Sequence, residues 1–355
     1  GLHLLYMENI FGKIIIIVTT LTNSFFGVSA STIPAQVMGT TTSGTTQRFY
    51  SQKELLDLAG PLPTKVELGN GKYVTTGAKK GYVYLCNARK GFGGAQQTGP
   101  WISGNYWTPS AKILISGDVV WRNATFTNKL STSTRLVTGN GLPINHNTGT
   151  YPVPRTDAAY QYDRNPNTIK AQTIQNSLPK NPTYSDTPYC MGGEVGIMLS
   201  GVPLFNAFDA ELRDAPANEL QDKCGGHPEV NGQYHYHNQS NCFRDESVQT
   251  VLGYALDGFP ITGAKVAAGK YLTSVDLDVC NGITSEVIVD GKKVITYHYV
   301  LTIDFPYSAG CFRGKPVSLK VSNTTGTQSE RVFNVRSGDQ RPGMPPPLFG
   351  TPRPY

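Results

Sequence analysis

Charge is scarce in this chain. Asp, Glu, Lys and Arg make up 16% of its 355 residues, against about 25% in ordinary soluble domains. That scarcity excludes a charge-rich disordered protein. The excess of 31 basic over 25 acidic residues gives a net charge of +6, but the positive residues are scattered. A nucleic-acid partner is therefore not expected, because it calls for a clustered basic footprint. Long apolar runs are also lacking. The most apolar stretch, Ile14 to Val18, is too short to cross about 30 Å of hydrocarbon. Several motifs are missing as well. No Cys-x-x-Cys pair exists for a zinc knuckle or a thioredoxin-like centre. No Gly-x-Ser-x-Gly elbow exists, and the glycine-rich Gly91-Phe92-Gly93-Gly94 lacks the Lys-Ser/Thr of a phosphate loop.

What the chain has is 38 Gly, 24 Pro and 19 Tyr, a mixture that suits short strands joined by many turns. The expected fold is mostly β: a single large β-rich domain, sandwich-like or of irregular sheets, with one or two short helices and long loops, stabilised by disulfides. Strand-like runs recur at Ala111–Ser116, Val119–Trp121, Arg135–Val137, Val195–Leu199, Leu252–Leu256, Ser285–Val289, Lys293–Ile303 and Val317–Val321. Asp290-Gly291 marks a hairpin turn, and Asn70-Gly71 a second within a hairpin over 64–85. Residues 140–186, rich in Pro, Asn, Thr and Tyr, read as a long packed loop. Ser51 and Glu54 form a capping box for a helix over 51–60. Asp214 caps a second helix running to Lys223, with Pro216 in its first turn and Glu219 and Asp222 on one face.

The N-terminus reads as an export signal over residues 1–30. Lys13 precedes the apolar run, and Val28-Ser29-Ala30 offers a cleavage site; Met7 is a natural start, with residues 1–6 upstream of it. Residues 31–79 read as a linker and N-terminal hairpin extension, and 323–355 as a proline-rich flexible tail. No membrane span is expected after signal cleavage. The expected location is secreted, extracellular or in the cell envelope. The six cysteines fit an oxidising compartment. Of the 15 pairings they permit, the local bridges Cys224–Cys242 and Cys280–Cys311 are favoured, leaving Cys86–Cys190. Acceptor sites for N-glycosylation stand at Asn123, Asn238 and Asn323, relevant only in a eukaryotic host.

Histidine is concentrated in one place. After residue 30 the chain has His146, His227, His235, His237 and His298, three of them close together. His235 and His237 share a face if they lie in a strand, leaving Tyr234 and Tyr236 to pack on the other side. A two-residue turn at Asn231-Gly232 would send His227 to the wrong face. A three-residue loop, Val230-Asn231-Gly232 with Gly232 left-handed, pairs His227 with His235 and is the favoured register. Three imidazoles with an open position suit a transition-metal ion, copper or zinc before others. Asp257, at a tight turn, is a further candidate ligand. Glu219 and Asp222, close in sequence, are the first candidates for a fourth ligand, a partner orienting a ring nitrogen, or a general base. Asp276 and Asp278, with Asn281, form a weaker candidate for calcium. His298, between two tyrosines, reads as a packed histidine, and His146 as a loop residue.

Gly226-His227-Pro228 followed by Tyr234-His235-Tyr236-His237 resembles the YHYH domain family. So do Trp101-Ile102, Lys112 to Trp121, Asn140-Gly141-Leu142-Pro143, Asp163-Arg164-Asn165-Pro166, Phe205-Asn206-Ala207 and Arg213-Asp214-Ala215. Gly253 to Pro260, and Pro306-Tyr307 with Gly310-Cys311, extend the likeness. The resemblance implies a domain over about 80–322 of an exported protein of unassigned activity, with His227, His235 and His237 as its site. It implies no reaction. The functional expectation is a metal-binding domain; the alternatives are a metal-dependent hydrolase or oxidase, and a metal-free structural module of the envelope. The partner would be a small molecule or a surface polymer.

Overall fold

The computed structural model describes residues 36–37, 47–319 and 321–323. The expected export signal, residues 31–35 and 38–46 of the expected linker, and the expected tail beyond residue 323 lie outside the described residues. Among those described, the protein is mostly β, with several sheets and three disulfides, Cys86–Cys190, Cys224–Cys242 and Cys280–Cys311. These are the expected pairings, two of them local and Cys86–Cys190 the one left over.

The main sheet is ten-stranded and mixed. Its edge is the hairpin of Gly226–Pro228 and Tyr234–Tyr236. Next come Pro203–Phe205, Glu194–Met198, Val251–Ala255, Pro260–Thr262, Lys292–Val300, Gly282–Val289 and Phe49–Tyr50, with Gln36–Val37 also on the Lys292–Val300 strand. The central strands Glu194–Met198, Val251–Ala255 and Pro260–Thr262 are buried throughout. Burial on both faces explains why they read as continuous apolar runs and not as alternating ones. A second, four-stranded sheet contains Val321–Asn323, Gln172–Pro179, Thr134–Gly139 and Phe126–Leu130. Arg135 ties the two sheets together. It is buried, pairs with Asp290 through two hydrogen bonds of 3.0 and 2.6 Å, and lies 3.8 Å from the Tyr254 ring centre.

Local chemistry accounts for several elements. Asp290 (φ 50°) and Gly291 (φ 77°) make the tight turn between Gly282–Val289 and Lys292–Val300. The helix Gln52–Leu58 starts at the Ser51–Glu54 capping box and buries Leu55. Two expectations need correction. Residues 64–85 form no hairpin: Asn70-Gly71 is a turn, but Val66–Glu67 pairs with Tyr106–Trp107, and Tyr73–Val74 runs parallel to Val83–Tyr84. Residues 140–186 are not all loop. Gln172–Pro179 is an eight-residue strand with alternating burial, hidden in the sequence because two of its inward positions are polar, Gln172 and Asn176. Residues 49–58 pack onto the body of the protein. Phe49–Tyr50 joins the main sheet and Leu55 packs with Val248, Leu272 and Val300.

Candidate metal centre

The histidine site is built on the edge hairpin. His227 pairs with His235, Gly226 with Tyr236 and Pro228 with Tyr234. The Glu229 N–H donates to Gln233 O across 3.1 Å, so residues 230–232 are the loop. Gly232 is left-handed at φ 85°, and a Cβ there would meet the Thr168 carbonyl oxygen at 2.6 Å. The favoured register is the one found. The period of two then sends His235 and His237 to one face and Tyr234 and Tyr236 to the other.

All three imidazoles are buried, and their ligating atoms lie within 4.8 Å of one another. The carbonyl groups around them decide which nitrogen carries the proton. His235 Nδ1 lies 3.0 Å from Gln233 O, and His237 Nδ1 lies 2.5 Å from Asn206 O. A carbonyl oxygen only accepts, so each Nδ1 holds the hydrogen and each Nε2 of the neutral ring presents a lone pair. The two Nε2 atoms face each other at 3.1 Å. Two lone pairs at that distance repel unless a cation lies between them. Neither ring nitrogen of His227 has a hydrogen-bond partner, although both are buried.

Protonation does not resolve the conflict cheaply. Burial, and then the neighbouring imidazoles, hold His227 and His235 well below the usual histidine range. Burial pulls His237 down to about 4. The rings are therefore neutral at physiological pH, the state in which imidazole binds metal. Glu219 Oε2 stands 3.5 Å from His227 Nε2 and 3.7 Å from His237 Nε2. Burial, then Asp209 and Asp163, push its carboxyl well above the ordinary carboxylate range. Phe205 stacks on His235, ring centres 4.1 Å apart, and meets His237 edge-on. The buried His triad could hold a metal ion.

The other candidates diverge. The second helix is one turn, Ala215–Asn218, capped by Asp214 as expected. Glu219 is its extended C-cap and Asp222 lies beyond it, so the two acids share no helical face. Glu219 turns to the histidines. Asp222 accepts from the Tyr234 hydroxyl at 2.8 Å and from the N–H groups of Gly149, Cys224 and Gly226, on the tyrosine side. Gly226 permits this, since a Cβ there would fall 2.2 Å from the Tyr234 ring. Asp257 accepts from the Tyr299 hydroxyl and from the N–H groups of Phe259 and Gly314, and is not in the histidine group. The proposed calcium acids also part ways. Asp276 closes a capping box on Thr273, while Asp278 pairs with Arg313 and accepts from Tyr297 and Gly282. His298 is packed, as expected, between Thr262 and Ser285.

Sequence reasoning did not single out Phe205 as part of the site, the Asn206 and Gln233 carbonyls, or Lys112. Backbone carbonyls leave no trace in residue type. Lys112 Nζ donates to Pro216 O and to Gln221 Oε1, bracketing the segment that carries Glu219. Burial lowers its pKa to about 7.

This segment is where the comparisons fall. Residues 175–271 match the YHYH protein family. The matched YHYH segment contains the whole hairpin, Phe205, Glu219 and the Cys224–Cys242 bridge. It is shorter than the span of about 80–322 read from the sequence. No curated protein and no solved structure matches the chain. Among the described residues, no helix is long and apolar enough to cross a membrane.

Proposed function

We propose that the protein is an exported metal-binding protein, with one transition-metal ion held by Nε2 of His235, Nε2 of His237, a ring nitrogen of His227 and the Glu219 carboxylate. The observation that carries this reading is the pair of buried Nε2 atoms 3.1 Å apart, each on a ring whose Nδ1 faces a carbonyl. Two nitrogens at about 2.0–2.1 Å from a tetrahedral ion lie roughly 3.3 Å apart, so the spacing already suits a chelate. The ion would also satisfy one of the two buried His227 nitrogens that lack a hydrogen-bond partner, a group that otherwise costs about 1–3 kcal/mol. The carbonyls of Gln233 and Asn206 orient the rings from behind, as outer partners do in metal sites. Imidazole and carboxylate donors favour zinc or copper. Three disulfides agree with an oxidising, extracellular or envelope location.

Elemental analysis of tag-free protein tests the reading: one equivalent of zinc or copper per chain is expected, and none in His235→Ala. A metal content well below one after careful loading would leave the structural, metal-free alternative. Glu219→Gln separates ligand from base. As a ligand, Glu219 contributes to affinity, and the variant binds the ion about tenfold or more weakly. Unchanged affinity combined with loss of a turnover would favour the hydrolase or oxidase alternative, with Glu219 as base.

A further inference from the structure

The other face of the same hairpin carries a second group of ligand types. One ring nitrogen of His146 and the sulfurs of Cys224 and Cys242 all lie within 4.8 Å of one another. His146 reaches the hairpin from a distant loop. Its Nδ1 contacts Asn147 O at 2.9 Å, and Cys224 Sγ lies 3.5 Å from that same oxygen. Its Nε2 meets the Tyr236 hydroxyl, which also lies 3.2 Å from Ser200 Oγ. In the oxidised protein the two sulfurs are bonded to each other, and neither is available to an ion.

We propose that reduction of Cys224–Cys242 converts this group into a second ion site, a Cys2His site for a thiophilic ion such as zinc, behind the tyrosine face. The bridge and the ion are alternative occupants of one place. The inference is independent of the three-histidine reading. A dithiol reductant supplies two electrons and two protons and closes its own disulfide, while Cys224 and Cys242 become thiols. Binding of a divalent ion then releases the two thiol protons. The Cα atoms stand 5.0 Å apart, so side-chain rotation alone can open the sulfurs to the roughly 3.7 Å expected of two thiolates on one zinc. In the oxidised protein the Asn147 carbonyl holds the His146 proton on Nδ1; to bind the ion, Nδ1 would give up that contact, and the ring would carry its proton on Nε2 and donate it to the Tyr236 oxygen. That is the orienting contact a metal-bound histidine usually has.

The test uses the full chain carrying His235→Ala and His237→Ala, which removes the first site. The protein is reduced with a phosphine without oxygen and titrated with Co2+. The expected result is one equivalent bound with a thiolate-to-cobalt charge-transfer band. The band should vanish on reoxidation, be absent when Cys224→Ser and Cys242→Ser are added, and need at least tenfold more Co2+ with His146→Ala. A band that survives the two serine replacements belongs to another cysteine pair and overturns the proposal, as does an affinity indifferent to His146→Ala. A second measurement covers loss of fold on reduction: the alkylation rates of the cysteines, read by mass spectrometry with and without Zn2+. Zinc should slow alkylation of Cys224 and Cys242 and leave Cys86 and Cys190 unchanged. Equal rates with and without zinc, in a chain folded or not, overturn it.

Discussion

Tyr234-His235-Tyr236 and Tyr297-His298-Tyr299 are the same three residues on two strands of one sheet. In both, the tyrosines are buried and a hydroxyl of each triplet meets a buried acid: Tyr234 with Asp222, Tyr299 with Asp257. The histidines differ. His298 Nδ1 lies 2.9 Å from Thr262 Oγ1 and its Nε2 lies 2.8 Å from Ser285 Oγ. Hydroxyls both donate and accept, so they adapt to either tautomer and leave no lone pair exposed. His235 has a carbonyl on one side and another imidazole on the other. A carbonyl fixes the tautomer, and a second imidazole fixed in the same way supplies no proton. One tripeptide therefore makes a closed hydrogen-bonded contact inside the sheet and, at its edge, part of a buried triad that could hold a metal ion.

The comparison can be broken most sharply by exchanging the roles of the two histidines. His235→Ala should abolish ion retention, a loss of at least a hundredfold in affinity by calorimetric titration. His298→Ala should leave that affinity within about twofold. A loss of the ion in His298→Ala would mean that the two sites are not separate. His298→Ala should instead lower stability by about 2–4 kcal/mol in denaturant unfolding, because it strands two buried hydroxyls and opens a cavity. Gly232→Ala attacks the register: its Cβ would press on Thr168 O in a left-handed backbone. We expect a cost of about 1–3 kcal/mol together with weakened ion binding. Undiminished affinity would show that the loop does not hold His227 in place.

Acid sharpens the contrast further. Burial depresses His298 to about 3 and His237 to about 4. A depressed pKa contributes stability that is fully present above the unfolded value of about 6.5 and is lost as pH falls toward the folded value, by about 1.4 kcal/mol per pH unit per group. Asp214 and Asp257, raised by burial to about 6, act in the opposite sense. Their contribution is present below the ordinary carboxylate value and is lost as pH rises through about 6. Comparing wild type with His298→Gln cancels the acids. Their stability difference should shrink between pH 6.5 and about 3, and a constant difference would contradict the buried neutral histidine. Zinc should steepen the acid loss in wild type, because protons compete for the imidazoles. The smallest effect is expected from Tyr236→Phe. It removes the hydroxyl shared by His146 and Ser200 at about 1 kcal/mol and leaves ion binding at the three histidines unchanged.

Much of the site was legible before any coordinates. The alternation of Tyr and His implies two faces, Gly232 implies the left-handed loop residue, and together they place His227 opposite His235. The short spacings between cysteines marked two of the three bridges. What failed did so for identifiable reasons. The sequence predicts a helix from Asp214 long enough to align Glu219 with Asp222, but it stops after one turn, where Glu219 is extended and its N–H donates to Ala215 O. The strand Gln172–Pro179 was missed because Gln172 and Asn176 face inward. Asp257 and Asp278 have the chemistry of ligands but are consumed by Tyr299 and Arg313.

Residue type and local spacing alone determined that this chain is β-rich and disulfide-bonded, and that three imidazoles could meet, because turn chemistry and the two-residue strand period act over a few positions. Only the tertiary structure decided how each imidazole is used. Protonation is set by what faces the ring nitrogens, and apart from Gln233 O, two residues before His235, those groups are Asn206 O, Ser285 Oγ, Thr262 Oγ1 and Glu219 Oε2. They come from other strands and turns, with no sequence signature linking them to the histidines.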